Sequence, residues 1–209
     1  MQVLWRPSAT LSLLGNQYYG TDTFGNGERK RFHSDNSIMA RYRSDPDGTV
    51  SKGAFSVTID AGCEWGGGVS CPTQYFLGFM AYNRLWFARD RFGLTLGGGG
   101  ITNPGRYLVL LPPINGATAS SGTPYFTANP GDGFNAWDLQ ATFDYMPDPY
   151  MTFRFEFNHR AANTPYFAGR NGMTPPGGNQ GGAGAEVPGW IPDLRKTESR
   201  LTAAMLLKL

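Results

Sequence analysis

The stretch from Ala136 to Arg160 constrains the fold of this chain more than any other. On both sides of Pro147-Asp148-Pro149-Tyr150, apolar and polar residues alternate without a break. Successive side chains of a strand point to opposite faces. One face therefore collects Trp137, Leu139, Phe143, Tyr145, Phe153, Phe155 and Phe157, and the other Asp138, Gln140, Asp144, Arg154, Glu156, Asn158 and Arg160. A sheet with one wetted face also alternates, but it rarely sets its largest rings against full charges along both arms of a hairpin. Lipid on one side and water on the other accounts for both faces together.

Composition agrees with a β protein. The 209 residues are 40% hydrophobic and 14% aromatic, with 29 Gly and 15 Pro, too aromatic for a disordered chain and too rich in turn formers for a helical one. The 18 basic and 16 acidic residues leave a net charge of +2, and Arg29-Lys30-Arg31 is the one basic run, so nucleic acid is not expected as a partner. A transmembrane helix needs a run of about 18 apolar residues, which the sequence lacks. Strands that cross a membrane need only about 9–11 residues, half of them apolar, so the mean hydropathy of −0.34 does not argue against a membrane. Met1 to Pro7 show no charged n-region, apolar segment or cleavage site, and the chain is read as a mature protein or, preferably, a fragment of a longer one.

Scored for period-two alternation, the chain predicts eight strands: Val3 to Leu14, His33 to Arg43, Phe55 to Trp65, Gln74 to Phe87, a shorter one from Phe92 to Leu96, the two arms of the hairpin, and Glu198 to Leu209. Pro7 marks the first as an edge. The connections Ser44 to Ser51, Ala88 to Arg91 and Pro147 to Tyr150 are tight turns. Those over 15–32, 66–73, 97–135 and 161–197 are all rich in Gly or Pro, three of the four are long, and the two kinds of connection alternate along the chain. Outer-membrane barrels have this asymmetry, with short periplasmic turns and long external loops. In the last strand Leu201, Ala203, Met205, Leu207 and Leu209 fall on every second position. A terminal strand of this kind is read by the barrel-assembly machinery, although Leu209 stands where an aromatic is usual. This polarity expects Pro147 to Tyr150 on the periplasmic side and Trp137 and His159 near the outer leaflet.

Three strings resemble a known family: Tyr82-Asn-Arg-Leu-Trp-Phe-Ala-Arg-Asp-Arg-Phe-Gly-Leu-Thr-Leu-Gly-Gly-Gly, Asn103-Pro-Gly-Arg-Tyr-Leu-Val-Leu-Leu-Pro-Pro-Ile-Asn-Gly-Ala and Phe153-Arg-Phe-Glu-Phe-Asn-His-Arg. They are similar to the C-terminal half of a β-barrel porin family (OmpL-like) of Gram-negative bacteria, over about residues 1–209. The resemblance implies an outer-membrane channel for passive diffusion of small hydrophilic solutes and a chain that is the C-terminal part of a larger barrel. It brings no catalytic residues. The expected fold is thus an all-β antiparallel transmembrane β-barrel with about eight strands visible, one domain with external loops at 15–32, 97–135 and 161–197. Its expected surroundings are the bacterial outer membrane and its lipid, with a homo-oligomer left open.

The candidate site is the polar face. Arg41, Arg43, Asp60, Glu64, Arg84, Asp138, Asp144, Arg154, Glu156, Arg160 and Arg200 are expected to line the interior. In a wide barrel they face water and bias which solutes pass; in a closed barrel of about eight strands the same side chains pair as a plug. The 97–135 loop carries Tyr107-Leu-Val-Leu-Leu-Pro-Pro-Ile114. Exposing that run costs roughly 1.5–3 kcal/mol per large side chain, so it is expected to bury itself. It does so either as a constriction, with Arg106 as its charge and Tyr107, Leu108, Leu110, Pro112 and Pro113 as its body, or against the rim or a neighbouring subunit.

Other chemistry finds little support. Cys63 and Cys71 flank a loop and form either a disulfide or two thiols, and they are a poor zinc site, so no metal is expected. Gly97-Gly-Gly-Gly100 opens no helix, which leaves a dinucleotide fingerprint unmet and no cofactor implied. His33 precedes Ser34 and Asp35, yet neighbours in a strand point to opposite faces, and His159 takes the outward phase. An enzyme is not expected. The alternatives to a channel are a small closed barrel that binds through its external loops without conducting, and a soluble β-sandwich.

Overall fold

The computed structural model describes residues 1–21, 26–104, 133–172, 189 and 193–208. Its strands are β1 (Gln2–Ser8), β2 (Leu11–Gly20), β3 (Lys30–Ser44), β4 (Val50–Trp65), β5 (Tyr75–Phe87), β6 (Phe92–Asn103), β7 (Phe134–Asp148), β8 (Met151–Ala162), β9 (Phe167–Ala168), β10 (Leu194–Arg195) and β11 (Thr197–Leu207). Nine of them form one antiparallel sheet in the order β1-β2-β3-β4-β5-β6-β7-β8-β11, while β9 and β10 pair separately. The large sheet is a meander in which each strand lies beside its predecessor in the sheet. Its edges, β1 and β11, do not pair with each other, so the sheet is open and is not closed into a barrel. Among the described residues no helix is long and apolar enough to cross a membrane.

Nine strands replace the expected eight because the predicted strand from Val3 to Leu14 is a hairpin. Its arms pair Trp5 with Leu13 and Ser8 with Leu11, and the Ser8 hydroxyl accepts the Thr10 N–H at 3.2 Å within the turn. The turn holds only Ala9 and Thr10 and pairs an even position with an odd one, Ser8 with Leu11, but the register shift between Trp5 and Ser8 restores the parity, so the alternation reads as one strand. The expected loops are also shorter. The connection expected over 15–32 spans 21–29, that over 97–135 spans 104–133, and that over 161–197 spans 163–196 and contains β9 and β10. β6 runs on through its glycines because its neighbour fills the space: the Tyr82 ring lies where a Cβ on Gly97 would come within 2.3 Å of it.

All four tight connections, at 9–10, 45–49, 88–91 and 149–150, lie at one end of the sheet, and the connections at 21–29, 66–74, 104–133 and 163–196 lie at the other. Each tight turn has a local cause. Asp148 Oδ1 accepts the Tyr150 N–H at 2.8 Å, and Gly48 donates to the Asp45 carbonyl at 3.0 Å. At the opposite end Cys63 and Cys71 are bonded, which closes the base of the 66–74 connection.

The two faces invert the usual arrangement of a water-soluble protein. Cross-strand register puts Trp5, Leu13, Ile38, Val57, Ala81 and Leu139 in one row of the apolar face. Members of that face are open to the surroundings: Leu139 is 58% exposed, Phe79 57%, Phe155 56% and Trp137 47%. Its rings gather in two bands. Phe92 stacks on Phe143 and Tyr145, and Tyr145 on Phe153, near the tight turns. Tyr19 meets Trp65, and Trp137 meets His159, near the long connections. The polar face, by contrast, buries Asp144 (0% exposed), Glu64 (2%), Thr142 and Asn158. Among the described residues the buried apolar side chains are Phe76, Phe134 and Phe167, and Phe134 packs on Tyr166 beside β9, at the long-connection end.

Candidate functional site

The polar face carries a wall of charge that runs across β3 to β8 and β11, and its side chains bond mainly along the sheet. At the tight-turn end, Arg154 grips Asp144 with both prongs, Nε to Oδ1 at 2.7 Å and Nη2 to Oδ2 at 3.0 Å. Arg84 approaches the same carboxylate from β5, two strands away, and places Nη2 2.6 Å from Oδ2. It reaches across β6 at Gly93, where a Cβ would stand 2.7 Å from that nitrogen. Arg84 also donates to Thr95 Oγ1 at 3.0 Å and lies 4.8 Å above the Trp86 ring. A carboxylate shared by two guanidiniums leaves one positive charge in excess.

A second cluster lies at the opposite end. Arg31 donates to Glu64 Oε1 through Nε at 3.0 Å and Nη2 at 2.7 Å, and the Gln74 amide donates to Oε2 at 3.1 Å. Between the clusters, His33 Nε2 lies 2.5 Å from Asp60 Oδ1, an ion pair when the imidazole is protonated. Asp60 pairs in register with Asp35. Along β7, β8 and β11, Glu156 accepts from Gln140 at 2.7 Å and from Thr142 at 3.2 Å, Arg160 donates to Asn158 at 2.6 Å, and Arg200 to Glu198 at 2.9 Å. Asp138 faces Arg160 in the ladder, although its closest bond is from Asn158 at 3.4 Å.

Of the side chains expected on this wall, Asp60, Glu64, Arg84, Asp138, Asp144, Arg154, Glu156, Arg160 and Arg200 share the polar face by register. Arg41 belongs to the same row as Ala54 and Arg84, and its side chain makes no bond among the described residues. Arg43 is a correction. The ladder shifts between Arg41 and Arg43, and the shift pairs Arg43 with Gly53. Its guanidinium then serves the adjacent turn, donating to the Val50 carbonyl and to Asp45, both at 2.9 Å. The expected constriction residues Arg106, Tyr107, Leu108, Leu110, Pro112 and Pro113 lie outside the described residues. Arg31, His33, Asp35, Lys52 and Glu198 join the wall without having been singled out. The signal for the first three was present, since they keep the parity of Ser37 and Arg41. His33 and Ser34 do diverge to opposite faces: Ser34 accepts from Gln17 at 2.8 Å, while His33 meets Asp60. His159 lies on the apolar face, 2.8 Å from Ser199 Oγ.

Among the described residues no group of three or more His, Cys, Asp or Glu side chains is placed to hold a metal ion. The polar face is a surface of fixed charges of both signs, while the His159–Ser199 contact lies on the opposite, apolar face. No family model, curated protein or solved structure matches the chain.

Proposed function

We propose that this chain forms the C-terminal strands of an outer-membrane β-barrel of the porin type, which lets small hydrophilic solutes diffuse through the bacterial outer membrane. The observation that carries the reading is the inversion of burial: rings such as Phe79, Trp137 and Phe155 are about half exposed, while Asp144 and Glu64 are shut off from solvent. In water, each large apolar side chain left uncovered forgoes roughly 1.5–3 kcal/mol. The exposed set is long enough to dominate the energetics, and a lipid environment reverses the sign of that penalty.

The spacing of the aromatic bands fits a bilayer. From Phe55, which stacks on Tyr42, to Trp65, which meets Tyr19, β4 advances ten positions. At about 3.4 Å per residue and a tilt of about 40°, the rise is roughly 26 Å, close to the apolar band of about 25 Å in such barrels. The open edges at β1 and β11 supply the places where further strands complete the barrel, because unpaired backbone groups cannot remain in hydrocarbon. The assembly machinery and outer-membrane lipid are then its partners. The in-sheet pairing of the charges favours a water-facing wall over a plug, since a plug needs bonds across the lumen.

The test is reconstitution of the chain in planar lipid bilayers and in liposomes. Stepwise ion conductance and liposome swelling in small sugars are the expected results. A monomer that stays soluble without detergent and leaves liposomes sealed would overturn the reading.

A further inference from the structure

At the tight-turn end the polar face opens into a cleft of about 1020 Å³, walled by Trp86, Thr152, the β5–β6 turn and Lys208. Charge is the first feature that sets it apart. Arg89, Arg91 and Lys208 line it, all exposed, and none has an anionic partner among the described residues. The acidic side chains of the same lining are engaged already. Asp90 accepts from the Ser51 hydroxyl at 2.7 Å and is ion-paired with Lys52, and Asp148 accepts the Tyr150 N–H. Elsewhere on the face most acids and bases neutralise one another, so this cleft concentrates uncompensated positive charge.

Backbone strain is the second feature. Ala88, Arg89 and Asp90 occupy the left-handed region in succession, with φ of 51°, 55° and 65°. Such residues cost on the order of 1–3 kcal/mol each and persist only where their surroundings enforce them. The enforcement comes from β4: Ser51, 2% exposed, donates to the Asp90 carboxylate and accepts the Asp90 N–H at 3.3 Å. A buried hydroxyl and a lysine thus clamp the middle of the turn and fix the two arginines that flank Asp90 at the cleft. Further along the same face Arg84 and Arg154 converge on Asp144, with the Glu156 carboxylate also in reach of Arg154.

We infer that the cleft is an oxyanion-binding vestibule, which gathers free solutes bearing phosphate or carboxylate groups at the tight-turn mouth and passes them toward Arg84 and Arg154. This rests on the channel reading and names its solute class. Arginine suits the task because its planar fork donates two parallel hydrogen bonds to an oxyanion. A cleft lined with one sign of charge also raises the local concentration of counter-charged solute. The cleft opens on the polar face, opposite the exposed rings, so the ligand is a dissolved anion and not a lipid headgroup.

The experiment uses the full chain folded in neutral detergent and titrated with inorganic pyrophosphate by calorimetry, alongside reversal potentials across planar bilayers in a KCl gradient. Wild type is expected to bind pyrophosphate and to prefer anions. Arg89→Gln with Arg91→Gln weakens binding about ten-fold or more and removes the preference, while the paired lysine variant keeps much of both. Arg6→Gln, on β1 at the same end but five strands from β6, leaves both unchanged, because that separation exceeds the screening length of about 8–10 Å. Pyrophosphate binding that survives loss of both arginines and Lys208, or that phosphatidylglycerol abolishes, overturns the vestibule. Binding without conductance keeps the vestibule and sinks the channel; conductance without binding or anion preference does the reverse.

Discussion

Asp144 is the side chain on which the polar wall depends most. It is fully enclosed, yet its enclosure consists of two guanidiniums and not apolar groups. Removing one partner of such a cluster leaves like charges facing each other, which is more damaging than never having built it. Asp144→Asn is expected to lower the unfolding free energy in lipid by about 2–4 kcal/mol, measured by urea titration. Gly93→Ala should cost less, about 1–2 kcal/mol, because the new methyl displaces only the tip of Arg84. In an Arg84→Met background the Gly93→Ala effect should vanish; if it persists, the glycine serves the backbone and not the ion pair. Asp90 gives a second handle, outside the membrane-spanning segments. Burial pushes its carboxyl upward, but the bonds from Lys52 and Ser51 outweigh that and hold it below its ordinary value of 3.8. A carboxyl depressed by folding stabilises the native state fully above the ordinary value, and that support is lost as the pH falls below 3.8 through the folded value. The 88–91 turn should therefore loosen only on the acid side, visible as faster amide exchange at Arg91. Asp90→Asn should remove that pH dependence and leave the turn loosened at neutral pH as well.

Hairpins were the most legible elements of this sequence, and the reasons are physical. The β7–β8 pair declares itself because its two arms alternate, with Pro147 at the end of β7 and Pro149 in the turn. The β1–β2 hairpin hides because the register shift beside its two-residue turn restores parity, and β6 is read short because Gly97 to Gly100 have no side chains to alternate. The faces of the wall residues followed from parity alone, whereas their partners did not. Arg84 meets Asp144 only because the registers of β5, β6 and β7 set Gly93 between Trp86 and Asp144, two residues along the strand from Arg84, and register is a property of pairing that no single strand encodes. Arg43 left the wall for the same reason, since a one-residue shift re-aims a side chain. The face assignment itself can be tested on one pair of neighbouring strands, β8 and β11. Phe155→Arg, on the apolar face, should weaken insertion into vesicles by about 2–4 kcal/mol, while Thr202→Lys, opposite Glu156 on the polar face, should be nearly neutral. Equal effects at both positions would contradict a lipid face.

Taken as one object, the sheet presents two unfinished edges and one unfinished face, and a single environment resolves all three. Exposed rings need hydrocarbon, and hydrocarbon forbids unpaired amides. An open sheet in lipid is therefore unstable unless β1 and β11 find partners, either each other or additional strands. Edge strands of soluble sheets usually defend themselves with charge or with shortness. β1 fits that description in part, with seven residues that include Arg6 and Pro7, but β11 offers eleven, with Leu201, Ala203, Met205 and Leu207 along its apolar face. Such a long, apolar edge invites pairing. Hydrogen exchange of the chain folded in lipid vesicles distinguishes the cases, because amide protection reports the stability of each ladder. Closure predicts that Gln2–Ser8 and Thr197–Leu207 exchange as slowly as Phe134–Asp148, which is paired on both sides. If instead those two strands exchange many times faster than β7 while vesicles stay intact, the sheet remains open, and a barrel closed by these nine strands alone is the wrong account of its exposed rings.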